Sequence, residues 1–125
     1  MKKNLVLTGM MGVGKSTIGK RLAKKLKLKF YDIDKIIEKK EKKTITEIFE
    51  TKGQDYFRKI EKKISLDILK KNNSVIALGG GAFINPMIRK ESENSSISFW
   101  LDLKLDSLLI RLKNVKKKTI VKSRE

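Results

Sequence analysis

Residues 9–16, Gly-Met-Met-Gly-Val-Gly-Lys-Ser, decide how this chain folds. They match the pattern G-x-x-x-x-G-K-[ST] and follow a short apolar run at residues 4–8. Apolar residues at helical spacing come after the motif: Ile18, Leu22, Ala23 and Leu26. A strand that turns through glycines into a helix aims backbone N–H groups and the positive helix end at one point. The stretch therefore predicts a loop that binds the phosphates of a nucleotide.

Six residues of this loop and of the helix after it are candidates for binding ATP: Gly12, Val13, Gly14, Lys15, Ser16 and Thr17. The Lys15 ammonium of such a loop reaches the β- and γ-phosphates, which makes it a catalytic candidate, and the Ser16 hydroxyl takes a place on Mg²⁺. The alternative is a chance match in an ordinary strand-turn-helix corner, which is expected in about 1% of chains of this composition. We therefore expect ATP and Mg²⁺ as the cofactors.

The rest of the chain alternates apolar runs of strand length with helical patterns. The strand candidates are residues 4–8, 30–31, 74–78 and 97–101. The helical pattern of residues 34–71 has breaks near 43–44 and 52–53, with Thr44 or Thr46 as a helix cap, and its longest helix has Ile60, Ile64, Ile68 and Leu69 as the expected inner face. Asn85-Pro86 predicts the start of a short helix towards Lys90, and Leu105, Leu108, Leu109 and Leu112 predict another helix. This alternation predicts an α/β fold with a parallel sheet.

Three further polar or glycine-rich features lie where the expected strands end. Asp32 and Asp34 follow the second strand, and Gly79, Gly80 and Gly81 follow the third. Phe57-Arg58-x-x-Glu61 lies in the helical region between these strands. Open parallel sheets bind ligands at the carboxyl ends of their strands, so these features are candidates for the second substrate site.

The phosphate loop and these three features, in this order, resemble shikimate kinase, a small P-loop kinase of the aromatic amino-acid pathway. The resemblance runs from residue 3 to about residue 111. It implies a three-layer P-loop kinase fold, with helices on both faces of a parallel sheet. It also implies transfer of the ATP γ-phosphoryl group to the 3-hydroxyl group of shikimate.

The resemblance also implies roles for single residues. Asp32 would bond to water on the Mg²⁺, and Asp34 would hold the ring hydroxyls of shikimate and accept the proton of the attacking hydroxyl. Arg58 would bind the shikimate carboxylate, which suits a planar guanidinium. The remaining residues expected at the shikimate site are Glu61, which would orient Arg58, Gly79, Gly80 and Gly81, and the aromatic Phe49 and Phe57.

Each of these residues also has a purely structural interpretation. Asp32 or Asp34 can cap a turn or a helix, and Arg58 can form a surface pair with Glu61 at i, i+3 spacing. The glycine run can be a flexible turn, and an aromatic residue at helical spacing is often part of the core.

The C-terminal part departs from the family pattern. Lys118 stands where family members have a lid arginine that reaches the transferred phosphate, and a lysine supplies charge without the guanidinium fork. Arg111 matches a position near the adenine, although an outward helical arginine is an equal interpretation. We expect one domain over residues 1–125, with a core at 1–112 and a partial lid at 113–125. The last strand and helix of the family are expected to be missing.

Composition narrows the remaining classes of function. The 125 residues include no Cys and no His, which excludes disulfide frameworks, thiolate catalysis and imidazole bases. There are 31 Lys and Arg against 14 Asp and Glu, giving a net charge of +17, but only five are Arg and the lysines are spread along the chain. We therefore expect a solvated basic surface, a cytoplasmic monomer, and neither a nucleic-acid nor a membrane partner. The alternatives are a related kinase such as gluconate kinase, a nucleotide-binding remnant without turnover, and a basic nucleic-acid-binding module.

Overall fold

The computed structural model describes residues 4–9 and 15–101. In chain order, its elements are β1 (Asn4–Gly9), α1 (Lys15–Leu26), β2 (Lys29–Asp32), α2 (Ile33–Glu41), α3 (Ile45–Lys52), α4 (Gln54–Leu69), β3 (Ser74–Ala77), a 3₁₀ turn (Ala82–Ile84), α5 (Pro86–Ser95) and β4 (Ser96–Leu101). Within these ranges no helix has the length and apolar character needed to cross a membrane. The expected helix with Leu105 and Leu112 lies outside the described residues.

The four strands form one parallel sheet in the order β2-β3-β1-β4. Val6 of β1 is in register with Ile76 of β3 and with Ser98 of β4, and Ile76 is in register with Tyr31 of β2. Strand β1 therefore lies inside the sheet, between two strands that come later in the chain. Strands covered on both faces read as continuous apolar runs, which is why the sequence signal was clear at residues 4–8 and 74–78.

Helices cover both faces of the sheet, so the three-layer α/β prediction is confirmed. On one face, Leu7 packs with Ile18, Leu22 and Ala23 of α1. On the other face, Val6 packs in a larger cluster that includes residues of α2, α3, α4 and α5. Val6 and Leu7 are both fully buried, because neighbouring strand residues point to opposite faces and both faces are covered.

Local capping fixes where the helices begin. Thr44 and Glu47 form a reciprocal capping box at the start of α3, and the Asn85 side chain accepts from two backbone N–H groups at the start of α5. These two predicted caps are confirmed. Capping by Asp34 is wrong, because Asp32 occupies the cap position of α2 and Asp34 lies in the first turn of that helix.

Two helices differ from expectation. The fully buried residues of α4 are Phe57, Glu61, Ile64, Ser65 and Leu69, while the predicted Ile60 and Ile68 are only half-buried. Ile64 and Leu69 are buried as predicted, and Ile60 and Ile68 pack against the same core cluster. The buried face also includes a carboxylate and a hydroxyl, which apolar spacing alone did not predict. Helix α5 is longer than predicted and continues to Ser95.

The buried side chain of Asn4 holds the amino-terminal edge of the sheet together. Its amide donates to the backbone oxygens of Leu69 at 3.3 Å and Lys71 at 2.6 Å, and its oxygen accepts from the N–H of Ser74 at 3.1 Å. One side chain thus satisfies three backbone groups between the end of α4 and the start of β3. This fixes the entry into β3, and β3 leads to the glycines at the opposite edge.

Gly19 generates a prediction about stability. A Cβ at this position would overlap the ring of Phe30, because α1 lies directly against β2. We expect Gly19→Ala to destabilise the chain by about 1–3 kcal/mol, since overpacking outweighs the helix propensity gained. Urea unfolding of both proteins measures this difference.

Phe30→Leu supplies the matched test. In a Phe30→Leu background, Gly19→Ala should cost clearly less, and Lys20→Ala on the exposed side of α1 should have little effect. A Gly19→Ala protein as stable as the parent would contradict the close contact.

Candidate active site

The carboxyl ends of β1, β2 and β3 meet at one edge of the sheet. Strand β1 ends at Gly9 and β2 ends at Asp32. The N–H of Leu78 donates to the oxygen of Leu7 at 2.9 Å, which extends the pairing beyond β3 and brings the glycines to the same edge. This edge is where parallel sheets bind ligands.

Ser16 and Asp32 meet at this edge. The Ser16 hydroxyl donates to Oδ2 of Asp32, while Oδ1 of Asp32 accepts from the Lys35 N–H at 3.2 Å. Asp32 therefore caps α2 and also presents an oxygen to the first turn of α1. A hydroxyl oxygen next to a carboxylate oxygen is a donor set that fits Mg²⁺.

Three lysines line the same cleft as this pair of oxygens. A cleft of about 320 Å³ between α1 and α2 is lined by Ser16 and Asp32 and by three lysines, Lys20, Lys35 and Lys39. Sequence analysis had not singled out these lysines. Their spacing was a usable signal, since Lys20 follows Ser16 by four residues and Lys39 follows Lys35 by four. The positive charge beside the oxygens suits a polyphosphate.

Arg58 and Glu61 form the ion pair of the second half of the site. Nη1 of Arg58 lies 2.7 Å from Oε1 of Glu61. The Glu61 side chain is only 3% exposed, whereas that of Arg58 is 35% exposed. The pair is therefore more than a surface contact, because a carboxylate this deeply buried needs a charged partner.

The glycines after β3 lie directly against these charged groups. A Cβ at Gly79 would lie 2.9 Å from Oδ1 of Asp34 and 3.3 Å from Oε2 of Glu61. A Cβ at Gly81 would lie 2.7 Å from Nη2 of Arg58. Both positions require a glycine, because a side chain there would prevent α2, α4 and the loop from packing this closely.

Two phenylalanines lie beside the ion pair. The rings of Phe49 and Phe57 are 4.8 Å apart, and Cζ of Arg58 lies 5.3 Å from the centre of the Phe57 ring. Phe57 is 3% exposed and belongs to the core, while Phe49 is half-buried. The structure thus places both rings next to Arg58, with Phe57 supporting its guanidinium.

The other candidate residues either lie wholly or partly outside the described residues or are exposed beside these groups. Gly12, Val13, Gly14, Arg111 and Lys118 lie outside the described residues, and Lys15 begins α1 without a described side chain. Thr17 is exposed in the first turn of α1, and Gly80 is exposed between the two contact glycines. The described candidates therefore form two groups: Ser16 with Asp32, and Asp34, Arg58 and Glu61 around the glycine loop.

Comparison with known proteins gives consistent results. A family model described as shikimate kinase matches residues 11–125. The chain is 51% identical over 108 residues to a shikimate kinase of Bartonella henselae, covering 86% of this chain and 51% of that protein. It is 44% identical over 120 residues to one of Sulfurihydrogenibium sp., covering 96% of this chain and 72% of that protein. The chain spans about half the length of the two Bartonella relatives that it matches.

Solved structures show the same relationship. A shikimate kinase of Acinetobacter baumannii in complex with shikimate superposes with a TM-score of 0.78 at 32% identity, covering 96% of this chain and 69% of that one. One from Aquifex aeolicus superposes with a TM-score of 0.75 at 36% identity, covering 86% and 68%. A gluconokinase of Sinorhizobium meliloti shares the fold alone, at 16% identity and a TM-score of 0.53. Because the family model matches most of the chain and these relatives are similar to it, the chain belongs to the shikimate kinase family.

Proposed function

We propose that the chain transfers the γ-phosphoryl group of ATP to the 3-hydroxyl group of shikimate. One observation carries this proposal: Asp34, Glu61 and Arg58, from two different helices, converge on the glycine loop after β3. A carboxylate and a guanidinium at one loop are complementary to the hydroxyls and the carboxylate of shikimate. The complex of the Acinetobacter baumannii relative with shikimate supports this choice of acceptor.

The nucleotide half uses the phosphate loop. Gly12, Val13 and Gly14 would present backbone N–H groups to the phosphates, Lys15 would bridge the β- and γ-phosphates, and Thr17 would bind the α-phosphate. Ser16 and Asp32 would hold Mg²⁺, directly or through its water. When bound, that ion supplies positive charge that offsets the charge of the phosphate oxygens.

In the acceptor half, Arg58 would bind the shikimate carboxylate in bidentate fashion, while Glu61 keeps its guanidinium in place. Backbone N–H groups of Gly79, Gly80 and Gly81 would face the ring, and Phe49 and Phe57 would line the pocket. These groups orient the 3-hydroxyl towards the γ-phosphate.

Asp34 completes the chemistry. The 3-hydroxyl oxygen forms a bond to the γ-phosphorus as the bond from that phosphorus to the β,γ-bridging oxygen breaks. The hydroxyl proton passes to the Asp34 carboxylate. Because the transition state of phosphoryl transfer is loose, a positioning carboxylate is sufficient and no strong base is needed.

The C-terminal residues complete the proposal. Lys118 would provide positive charge at the transferred phosphate, and Arg111 would stack on the adenine. We also propose one kinase domain over residues 1–125, with its core at 1–112 and part of a lid at 113–125. It would work as a cytoplasmic monomer with small-molecule substrates and without a nucleic-acid or membrane partner.

Ligand-induced stabilisation tests both halves of the site. We expect the melting temperature of the 125-residue chain to rise with MgADP and to rise again with shikimate. A ligand at about 100 times its Kd adds about 2.7 kcal/mol to the free energy of unfolding. Thermal melts measure this stabilisation. A coupled assay of ADP release, with shikimate and with gluconate as acceptors, then measures turnover. Stabilisation by MgADP alone, without ADP release, would instead identify a nucleotide-binding protein without turnover.

Arg58 provides the test of acceptor binding. Arg58→Ala should raise the KM for shikimate by about 10- to 100-fold, because a charge-assisted bidentate contact is lost. The KM for ATP should change little in the same steady-state assay. Lys59→Ala removes the same charge from an exposed neighbour on α4 and should leave both KM values unchanged. Equal effects of Arg58→Ala on both substrates would contradict the assignment.

Asp32 provides the test of the nucleotide half. Asp32→Asn keeps an oxygen that caps α2, so the free energy of unfolding should change by less than about 0.5 kcal/mol. The Mg²⁺ concentration for half-maximal rate should rise about tenfold, because a neutral oxygen binds this cation less well. A magnesium titration of the rate checks this, with Asp55→Asn in the first turn of α4 as the matched control. An unchanged magnesium requirement in Asp32→Asn would exclude this carboxylate from the metal site.

A further inference from the structure

Tyr56 occupies the place where three helices of the acceptor side meet. Its hydroxyl donates to Oε1 of Glu41 at 2.9 Å. Glu41 is the last residue of α2, and Tyr56 lies in the first turn of α4. The ammonium of Lys52, the last residue of α3, lies 5.0 Å from the centre of the Tyr56 ring. One side chain thus contacts the ends of two helices and belongs to the beginning of a third.

Helix α2 holds the starts of both following helices through carboxylates one turn apart. Oε2 of Glu38 accepts from the N–H of Ile45 at 2.9 Å, at the start of α3. Glu41 then binds Tyr56 at the start of α4. The connection between α2 and α3 is short and begins with Lys42, which has a left-handed conformation. The Glu38 contact therefore joins two residues that are only seven apart in the sequence. The Glu41 contact spans fifteen residues and adds a hydrogen bond between α2 and α4 to the apolar packing of Ile33 and Ile37 against Phe57 and Ile64.

These two helices bring opposite sides of the acceptor site together. Asp34 lies in the first turn of α2, and Arg58 lies two residues after Tyr56 on α4. Phe57, between Tyr56 and Arg58, is buried in the core. Any shift of the first turns of α4 relative to α2 therefore changes the separation of Asp34 and Arg58.

We propose that the hydrogen bond between Tyr56 and Glu41 positions Arg58 relative to Asp34 and so determines the affinity for the acceptor. The inference rests on the proposed function, since it concerns the same acceptor site. Tyr56 is a positioning residue that acts through α4. Without this bond the competent arrangement is a smaller fraction of the population, and the apparent affinity for shikimate falls by that fraction.

The chemistry of the contact fits this role. Its hydrogen bond to Glu41 raises the pKa of the Tyr56 hydroxyl above its usual value, with burial and the charge of Glu41 acting in the same direction. A tyrosine hydroxyl is already protonated at neutral pH, and a raised pKa acts in the same direction, so the hydroxyl remains the donor. Tyr56 also packs its ring against the core, so removing only the oxygen leaves that packing in place.

Binding measurements on the 125-residue chain test the proposal. Tyr56→Phe should weaken shikimate binding by about three- to tenfold, the loss expected for one hydrogen bond, and should leave the Kd of MgADP within about twofold. Isothermal titration calorimetry measures both constants. In a steady-state assay, the KM for shikimate should likewise rise while the KM for ATP stays nearly unchanged. Glu41→Gln, with Tyr56 intact, retains an acceptor oxygen and should keep most of the shikimate affinity of the unmodified chain.

A second ion pair on α4 gives the control. Lys63 and Asp67 lie 3.7 Å apart and are both well exposed. Lys63→Gln breaks this pair and should change neither binding constant. Equal weakening of both ligands in Tyr56→Phe, or unchanged shikimate affinity, would overturn the positioning role.

The two proposals fail in different ways. If the unmodified chain binds MgADP but not shikimate, the proposed function fails and the positioning role fails with it. If it binds shikimate and Tyr56→Phe binds shikimate equally well, only the positioning role fails.

Discussion

The buried carboxylate of Glu61 is the constraint on which the proposed acceptor site depends. A carboxylate that is 3% exposed is strongly unfavourable unless a charged group and hydrogen bonds replace its water. Arg58 supplies that charge and keeps about a third of its own side chain accessible. The buried acid therefore holds a partly exposed guanidinium beside the glycine loop in a fixed orientation. The glycine loop can approach this pair because neither Gly79 nor Gly81 has a side chain to displace it.

Helix α2 connects the two halves of the site. Asp32 caps the helix and accepts from Ser16, while Asp34 in its first turn faces the glycine loop. In the proposed function, the residues assigned to the nucleotide and to the acceptor are thus separated by only one residue of rigid helical backbone. This arrangement suits in-line phosphoryl transfer, in which the relative placement of two substrates supplies most of the rate acceleration.

Sequence signals that depend on neighbouring residues, such as helix caps and apolar runs, predicted much of the fold but less of the candidate site. The strand before the phosphate loop, the Thr44 capping box and the Asn85 cap depend on neighbouring residues, so the sequence alone was sufficient. The burial of Glu61 was not predictable, because a carboxylate reads as exposed until its partner and the packed glycines are known. Asp34 was a reasonable cap by residue type, yet the helix starts two residues earlier than such a cap would allow, at Ile33, and Asp32 is its cap.

Long-range contacts explain the rest of the difference. The hydrogen bond from Tyr56 to Glu41 joins residues fifteen apart on different helices, and no helical or strand period connects them. The family resemblance supplied the candidate residues of the site, whereas the helix-to-helix contacts beside those residues became visible only in three dimensions.

The sheet order has a consequence for how the chain folds as it is made. Strand β1 emerges first, but its neighbours in the sheet are β3 and β4, which end at residues 77 and 101. While the ribosome is still adding residues, β1 has no partner strand until β3 has been made, and its second neighbour, β4, comes later still. Such non-local pairing slows folding and leaves strand edges open meanwhile. The nascent protein therefore depends on α1 and on the local helices α2 to α4 to shield its apolar surface until β3 and β4 have been made.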